Sequence, residues 1–180
     1  NPTNILNKVH VFGLGTIGST TSLCLTKLGF PKIVIYDFDK VEMHNIPNQF
    51  YASSQVNEKK TQSLMKNLKI FSPKMINFTY FDEKITEESD LSSVIDEDIA
   101  IFSLDSLESR KTVWNKIKGK KVWLIDGRMK GEIFTIFTLR TDGGFAEEYE
   151  RSLEGVAEQG ECGMESVAYN SFSIAGIIGN

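Results

Sequence analysis

Cysteine is scarce in this sequence, since Cys24 and Cys162 are the only two in 180 residues. Two distant cysteines form neither a disulfide framework nor a four-ligand zinc site, so zinc is not expected. A reducing, cytoplasmic location is expected. The sequence also lacks a signal peptide and any apolar run long enough to cross a bilayer, which argues against a membrane protein. Positive charge is not in excess, the formal net charge being −4, and nucleic acid is therefore not expected as a partner.

Apolar residues, by contrast, are abundant enough for one sizeable core. The hydrophobic fraction of 41% and the charged fraction of 24% are ordinary for a globular protein. No internal repeat or low-complexity tract divides the chain, so we expect a single domain over residues 1–180. Because the sequence begins at Asn1 and stops within a helix-like segment at Asn180, we expect this domain to be incomplete at both ends.

The most informative stretch is a glycine-rich turn near the start. A short apolar run over residues 9–12 leads into Gly13, Gly15 and Gly18 with the spacing G-x-G-x-x-G, and a helical pattern follows to Leu28. In nucleotide-binding folds the first glycine makes a tight turn, the second lets the backbone approach a phosphate, and the third allows close helix packing. The N–H groups at the helix start then favour an anion. A purely structural strand–helix turn is the alternative.

A second buried strand is predicted over residues 33–37, where β-branched residues are concentrated. It ends in Asp37, roughly 20 residues past the glycines, where a carboxylate meets a ribose hydroxyl in nucleotide-binding folds. A turn-forming aspartate is the alternative, and Asp39 could take either role.

The next segment, residues 38–57, is polar and without periodicity, which is typical of a functional loop. It is rich in side-chain amides and aromatic rings, and Asn45, Asn48 and Gln49 are among them. We therefore interpret it as a binding loop.

A helix is predicted from about residue 58, and its apolar face would consist of Leu64, Leu68 and Ile70. Lys59 and Lys60 lie at its start. One of these lysines could contact a phosphate, while an exposed lysine on a solvated helix face is the alternative.

Beyond this helix, strands and helices continue to alternate. We predict strands over residues 76–81, 99–104, 121–126 and 132–139, helices over 91–95 and 107–117, a turn at Gly127–Arg128, and a buried helix over 166–178. Asp105 stands at the carboxyl end of its strand, the edge where open α/β sheets bind ligands, with a helix N-cap as the alternative role. The order predicts an α/β fold: a Rossmann-like, doubly wound, mostly parallel sheet with helices on both faces and an antiparallel strand at one edge.

Taken together, these motifs resemble the ThiF/MoeB/ubiquitin-activating-enzyme family, which uses ATP to adenylate the C-terminal carboxylate of a small ubiquitin-like protein. The family pattern is G-x-G-x-x-G, then D-x-D-x-V, N-x-x-R-Q, a lysine, and an aspartate with an arginine shortly after. The matching residues are the three glycines, Asp37-Phe38-Asp39-Lys40-Val41, Asn45-Ile46-Pro47-Asn48-Gln49, Lys59-Lys60, and Asp105 with Arg110. The likeness is clear over residues 8–110 and weaker beyond.

The resemblance implies a role for each matching residue. The glycine turn would hold ATP, and Asp37 would bind its ribose. Asn45 and Lys60 would contact the phosphates, with Lys59 as the alternative if the register slips by one, and Asp105 would bind the accompanying Mg²⁺. The implied nucleotide-binding set also includes Asp39, Asn48 and Gln49. Such a site is chemically reasonable because attack on a phosphate needs its developing charge stabilised more than it needs acid–base catalysis.

One departure from the family pattern concerns phosphate binding. Asn48 stands where the family has an arginine, and an amide cannot replace the planar guanidinium. Either another arginine compensates or adenylation is slow or absent. Arg128 is our candidate substitute, and a salt-bridged surface arginine is the alternative.

Two further comparisons with the family concern cysteine. The two C-x-x-C pairs that hold zinc in many members are missing. Cys162 lies in roughly the region where thioester-forming members keep a cysteine, so it is a candidate catalytic residue. The alternative is a small residue packed at a helix start.

Three functions remain open from the sequence. The first is ATP-dependent adenylation of a ubiquitin-like or sulfur-carrier protein, by an enzyme that the resemblance implies to be a homodimer. The second is a non-catalytic nucleotide-binding member, or the inactive half of a dimer. The third is an NAD(P)-linked oxidoreductase, which rests on the glycine turn and Asp37 alone.

Overall fold

The computed structural model describes residues 7–72, 76–130 and 133–154. The strands are β1 (Val9–Phe12), β2 (Lys32–Tyr36), β3 (Asn77–Phe81), β4 (Ile99–Phe102), β5 (Trp123–Lys130) and β6 (Ile133–Arg140). The helices are α1 (Thr16–Leu28), α2 (Lys60–Phe71), α3 (Leu107–Ile117) and α4 (Ala146–Ser152), with short 3₁₀ turns at Met43–Asn45 and Ser53–Gln55. Within these ranges, no helix is both long enough and apolar enough to cross a membrane.

The strands form one six-stranded sheet in the order β3-β2-β1-β4-β5-β6. All neighbours are parallel except β5 and β6, which are antiparallel. Phe12 at the end of β1 is in register with Tyr36 of β2 and Phe102 of β4, so these three strands end at one common edge. The predicted fold class is confirmed, including the antiparallel strand at one side.

Each face of the sheet carries its own apolar core, because successive residues of a strand point to opposite faces. On one face, Val9 and Val11 pack with residues of α1 and α2, among them Leu64 and Leu68. On the other face, Phe12 packs with residues of α3 and α4, among them Val113, Trp114, Ile117 and Tyr149. This two-sided burial explains why the central strands read as continuous apolar runs.

Two predicted features of the second half are wrong. Gly127–Arg128 is no turn, because β5 continues to Lys130 and pairs Gly127 with Ile136 and Arg128 with Thr135 of β6. The predicted short helix over 91–95 is a series of turns instead. There the Asp90 and Asp98 carboxylates accept N–H groups of Ser92 and Ile95, respectively, in place of helical hydrogen bonds.

The predicted apolar face of α2 is correct in part. Leu64 and Leu68 are fully buried, but Ile70 is 76% exposed. Leu64 and Leu68 are four residues apart on one helix face, whereas Ile70 is about 200° further round the helix from Leu68. The predicted helix over 166–178 lies outside the described residues.

Candidate functional site

The glycine turn connects β1 to α1 under tight steric constraint. Gly13 has φ of +86° and donates its N–H to the Tyr36 carbonyl at 2.9 Å. A Cβ on Gly13 would lie 2.5 Å from the Ser103 carbonyl oxygen, and one on Gly18 would lie 1.9 Å from the Gly13 carbonyl oxygen. These two glycines therefore let the turn, α1 and the end of β4 meet, which confirms the packing roles predicted for them.

Gly15 differs from the other two glycines because it faces open space. A Cβ built on it would have no atom within 4 Å. Gly15 is the N-cap of α1, which has neither a side-chain cap nor an acidic residue in its first turn. The first N–H groups of a helix have no intrahelical partner, and they carry the positive end of the helix dipole. The turn thus fits a phosphate group, whereas a carboxylate cap would compete with one.

The Asp37 carboxylate joins the glycine turn to the loop after β2. Its Oδ2 accepts the Leu14 N–H and its Oδ1 accepts the Asp39 N–H, both at 2.7 Å. Burial raises the pKa of Asp37, although the charge of Lys60 and these hydrogen bonds oppose the rise. Asp37 therefore forms a local turn, which was the alternative to ribose binding. A carboxylate offers about four acceptor positions, so ribose binding stays a prediction compatible with these contacts.

Lys60 is the first residue of α2 and is directed into this cluster. Its Nζ lies 3.1 Å from Asp39 Oδ2, and its side chain is only 8% exposed. An exposed lysine on a solvated helix face is therefore the wrong interpretation of Lys60. Lys59 precedes the helix and donates instead to the Phe38 carbonyl at 2.6 Å. Of the two lysines, Lys60 contributes the buried positive charge beside Asp37.

The predicted binding loop is folded around Asn45. The side-chain oxygen of the buried Asn45 accepts the Glu42 N–H at 2.9 Å, and the backbone carbonyl of Asn45 accepts the N–H groups of Asn48 and Gln49. The structure thus shows Asn45 as an organiser of the loop. Phosphate contact by Asn45, and nucleotide contact by Asn48 and Gln49, stay predictions.

The same loop is held against the glycine turn and α1 by two hydrogen bonds that were not predicted from the sequence. The Tyr51 hydroxyl donates to the Leu14 carbonyl at 2.8 Å. The Phe50 N–H donates to Ser19 Oγ in α1 at 3.0 Å. Burial raises the pKa of Tyr51 well above its usual value, and the nearby negative charges of Asp37 and Asp39 add to this, so the hydroxyl stays a donor. Aromatic content was the only sequence signal for Tyr51.

Asp105 follows β4 at the edge of the sheet where the parallel strands end, and it is exposed. It is not the N-cap of α3, because Ser106 takes that place and its Oγ accepts the Ser109 N–H at 3.1 Å. The turn around Asp105 is held by Arg110, whose guanidinium donates to the Leu104 and Gly127 carbonyls. Binding of Mg²⁺ by Asp105 stays a prediction.

Arg110 and Arg128 share one buried carboxylate, Asp126, which is 0% exposed. Arg128 Nε lies 2.8 Å from Asp126 Oδ2, and the Tyr149 hydroxyl donates to the same oxygen at 3.0 Å. Burial lowers the pKa of Arg110, and the charge of Asp126 opposes that effect. Asp126 was not among the predicted site residues, because no sequence spacing pairs it with Arg110.

Arg128, the candidate substitute for the missing arginine, is engaged on several sides. Beyond the bond to Asp126, its Nη2 donates to Ser152 Oγ at 3.1 Å, and its guanidinium carbon lies 4.4 Å from the centre of the Phe137 ring. Its side chain is 20% exposed. Arg128 therefore does form a salt bridge, as in the alternative interpretation of a salt-bridged surface arginine. A phosphate-binding role for Arg128 stays a prediction.

Within the described ranges, no three His, Cys, Asp or Glu side chains form a group that could hold a metal ion. A nucleotide-bound Mg²⁺ needs only one or two protein carboxylates besides phosphate oxygens, so Asp105 still fits that role. Cys162 lies outside the described residues.

The fold and the glycine turn define the class of the protein as a Rossmann-like α/β domain. Its family follows from the sequence: the family model of ThiF matches residues 6–179, and the chain belongs to the ThiF family. The predicted family is confirmed.

The chain is also similar to a named enzyme in sequence and to solved structures in fold. Ubiquitin-like modifier-activating enzyme 5 of Drosophila mojavensis is 28% identical over 116 residues, which are 58% of this chain and 29% of that enzyme. PaaA superimposes with a TM-score of 0.75 at 20% identity, and E. coli MccB with ATP does so with a TM-score of 0.73 at 18% identity. Both structural matches cover 97% of this chain and 54% of the other. MccB has also been crystallised with AMPCPP and MccA.

Proposed function

We propose that the chain is the adenylating domain of a ThiF-type activating enzyme. It would use ATP to adenylate the C-terminal carboxylate of a ubiquitin-like protein, a sulfur carrier or a short peptide. The ThiF family membership, the relatives named as activating enzymes, and the MccB structures with ATP and MccA support this proposal. One observation carries it: Gly15 leaves the start of α1 open at the sheet edge where Asp37 and Lys60 meet.

The chemistry asks for positive charge more than for acid–base groups. A carboxylate oxygen of the acceptor attacks the α-phosphorus of ATP, the bond to the bridging oxygen breaks, and pyrophosphate leaves. The negative charge on the phosphate oxygens must be stabilised throughout. The start of α1 and the Lys60 ammonium supply positive charge, and the Asp37 carboxylate orients the ribose.

Asp105 is the residue that would hold Mg²⁺. When bound, the ion would supply positive charge that neutralises part of the phosphate charge. Arg110 supports this role indirectly, because its hydrogen bonds to the Leu104 and Gly127 carbonyls hold the turn that carries Asp105.

The direct test is the variant Gly15→Ala, measured by titration of the full-length protein with ATP and Mg²⁺. The added methyl group meets no atom within 4 Å, so the fold should tolerate it. An alanine N-cap costs about 1 kcal/mol. The same methyl group would occupy the surface that a phosphate must approach, and we expect affinity for ATP to fall at least about tenfold, or about 1.4 kcal/mol.

Gly119→Ala is the matched control, because a Cβ at Gly119 also meets no atom within 4 Å and the residue lies after α3. Equal affinity for ATP in Gly15→Ala and in the unchanged protein would contradict the proposed site. Adenylation itself is tested by exchange of labelled pyrophosphate into ATP. That exchange should require an acceptor with a free C-terminal carboxylate and fail with a C-terminal amide.

A second candidate function is nucleotide binding without adenylyl transfer. The observation that favours it is the pairing of Arg128 with Asp126 and Ser152, together with Asn48 at the usual arginine position. Under this proposal ATP binds, exchange is absent, and Asn48→Arg does not restore it. Appearance of exchange in Asn48→Arg would instead identify a damaged adenylating site.

The assembly and the later chemistry are also proposals. We propose a homodimer by analogy with the family, which sedimentation of the full-length protein would test. Thioester formation at Cys162 would be tested by trapping a reducible adduct with the acceptor, which Cys162→Ser should abolish. No observation in the described structure favours an oxidoreductase.

A further inference from the structure

A carboxylate from the loop after β3 is hydrogen-bonded to the start of α2, the turn that carries Lys60. Asp82 directly follows β3, and both of its carboxylate oxygens accept a side-chain donor of α2. Its Oδ1 accepts the hydroxyl of Thr61, and its Oδ2 accepts Gln62 Nε2 at 2.8 Å. Thr61 and Gln62 follow Lys60 immediately in the first turn of α2, and Thr61 is fully buried.

The start of α2 lacks the local stabilisation that helix starts commonly have. Its N-cap residue Lys59 makes no side-chain capping hydrogen bond, and its first turn contains no acidic residue. Because the amino end of a helix carries partial positive charge, a nearby carboxylate stabilises it. Asp82 brings that negative charge from the end of β3. The Lys60 N–H also donates to the Asp39 carbonyl at 3.0 Å, so this turn is held from the β2 side and from the β3 side.

The end of β3 also holds the backbone of Asp37. The Asp37 N–H donates to the Phe81 carbonyl at 3.2 Å, and Phe81 is the last residue of β3, immediately before Asp82. The two strands end together, because β2 and β3 are parallel and Tyr36 is in register with Phe81. The short segment of Phe81 and Asp82 therefore connects the backbone of Asp37 to the helix turn that carries Lys60.

The position of the Lys60 ammonium depends on this turn. Its long side chain is only 8% exposed, and its Nζ lies 3.1 Å from Asp39 Oδ2. In catalysis, a misplacement of about 1 Å can cost about 100-fold in rate, even when the mutated residue is far from the chemistry. We propose that Asp82 is a positioning residue for adenylyl transfer, which holds the first turn of α2 and thereby sets the place of Lys60. This inference rests on the proposed function, because it requires turnover of ATP in which Lys60 takes part.

A purely structural role is the alternative, and it makes a different prediction. Removal of a carboxylate that only stabilised the fold would lower the melting temperature and leave the turnover of the folded protein unchanged. A positioning residue acts through another group, so its effect on turnover disappears when that group is absent. A double-mutant cycle measures this coupling between Asp82 and Lys60.

The test measures pyrophosphate exchange of the full-length protein at saturating ATP and Mg²⁺, well below a melting temperature that is measured on the same preparations. Asp82→Ala removes both carboxylate oxygens, and we expect exchange to fall about tenfold, within the range that a small misplacement produces. Asp82→Asn keeps an oxygen for the Thr61 hydroxyl, and the Gln62 amide can turn its own oxygen towards the new amide group. Exchange in Asp82→Asn should therefore stay within about threefold of the unchanged protein. In Lys60→Met, adding Asp82→Ala should change the remaining exchange by less than about twofold.

Asp90→Ala is the matched control. Asp90 lies in the same connection between β3 and β4, and its two carboxylate oxygens accept the backbone N–H and the hydroxyl of Ser92 in its own loop. Exchange should be unchanged in this variant. If Asp82→Ala does not fold, the double variant Thr61→Val with Gln62→Ala takes its place, because it removes the same two hydrogen bonds and keeps Asp82. The same loss of exchange is expected of it.

Three results overturn the inference while leaving the proposed function intact. The first is normal exchange in folded Asp82→Ala or in the double variant that replaces it. The second is a loss in the Lys60→Met background as large as the loss in the unchanged background. The third is an equal loss in Asp82→Ala and in either Asp82→Asn or Asp90→Ala. Absence of exchange in the unchanged protein would overturn the proposed function and this inference together.

Discussion

Replacement of Lys60 by methionine tests the electrostatics of the site most directly. The change keeps an unbranched side chain of similar length and removes the ammonium group. Lys60 is nearly buried, whereas its partner Asp39 is 40% exposed. Water can therefore solvate the Asp39 carboxylate when Lys60 is lost.

The structural cost of this change should be small. A pair with one well-exposed member contributes at most about 1 kcal/mol. In a domain of this size, that corresponds to a change in the melting temperature of about 2–4 °C. The functional cost should be larger, because the ammonium would act directly on the negative charge of the phosphate oxygens in the transition state. We expect ATP-dependent turnover to fall at least about tenfold, or about 1.4 kcal/mol of transition-state stabilisation.

A pH effect should accompany the loss. The charge of Lys60 lowers the pKa of Asp37, against the effect of burial. Without it the pKa of Asp37 rises further, so the carboxylate is protonated at a higher pH. The acidic limb of ATP affinity against pH should therefore move towards higher pH in Lys60→Met.

Pyrophosphate exchange, titration with ATP and thermal unfolding should be measured on the same preparations. Lys59→Met is the discriminating control, since Lys59 is the neighbouring lysine and donates to the Phe38 backbone carbonyl. Lys66→Met, which removes an exposed pair with Glu58, controls for loss of a helix charge. If Lys59→Met loses as much turnover as Lys60→Met, or if Lys60→Met retains normal turnover, the assignment of Lys60 is refuted.

Three further changes give distinct expected results. Asp105→Asn should lower pyrophosphate exchange at least about tenfold with little change in melting temperature, because Asp105 is exposed; a normal rate would remove it from the site. Asp126→Asn should destabilise the fold by about 3–5 kcal/mol in urea unfolding, because two arginines lose a fully buried counter-charge; an unchanged midpoint would contradict this. Burial alone would raise the pKa of Asp98, but hydrogen bonds from His10 and from the backbone amides of Ile95 and Lys8 outweigh this and lower the pKa. The ionised carboxylate therefore stabilises the fold above about pH 4, and this contribution is lost as the pH falls through the folded-state pKa. Asp98→Asn should therefore unfold more easily at pH 7 and show a weaker acid dependence of stability, and an unchanged acid limb would be the contrary result.

Much of the fold could be predicted because its signals are local. The glycine spacing marked the β1–α1 turn, since a glycine there relieves a contact that any Cβ would make. The apolar runs of the central strands indicated burial on both faces and hence a parallel sheet. Asp37 and Asp105 could be placed at one edge because parallel strands all end on the same side.

The errors arose where a neighbouring strand or side-chain carboxylates decide a local conformation. Gly127 would favour a turn in isolation, but pairing with Ile136 of β6 keeps it in the strand. The segment around Leu91 has helical spacing, but the carboxylates of Asp90 and Asp98 take its N–H groups. Asp98 itself is positioned by contacts with His10 and Lys8, roughly 90 residues away in sequence, as the fold places β4 beside β1.

The amino-acid order alone determined the six strands, the helices α1, α2 and α3, the edge that carries the candidate site, and the family, because each depends on spacing within a short segment. The tertiary structure decided that Lys60 rather than Lys59 is buried beside Asp39, that Tyr51 fastens the loop to the glycine turn, and that Asp126 unites Arg110 with Arg128. Those pairings depend on which side chains meet in space after the sheet has formed. Sequence spacing carries no measure of that distance.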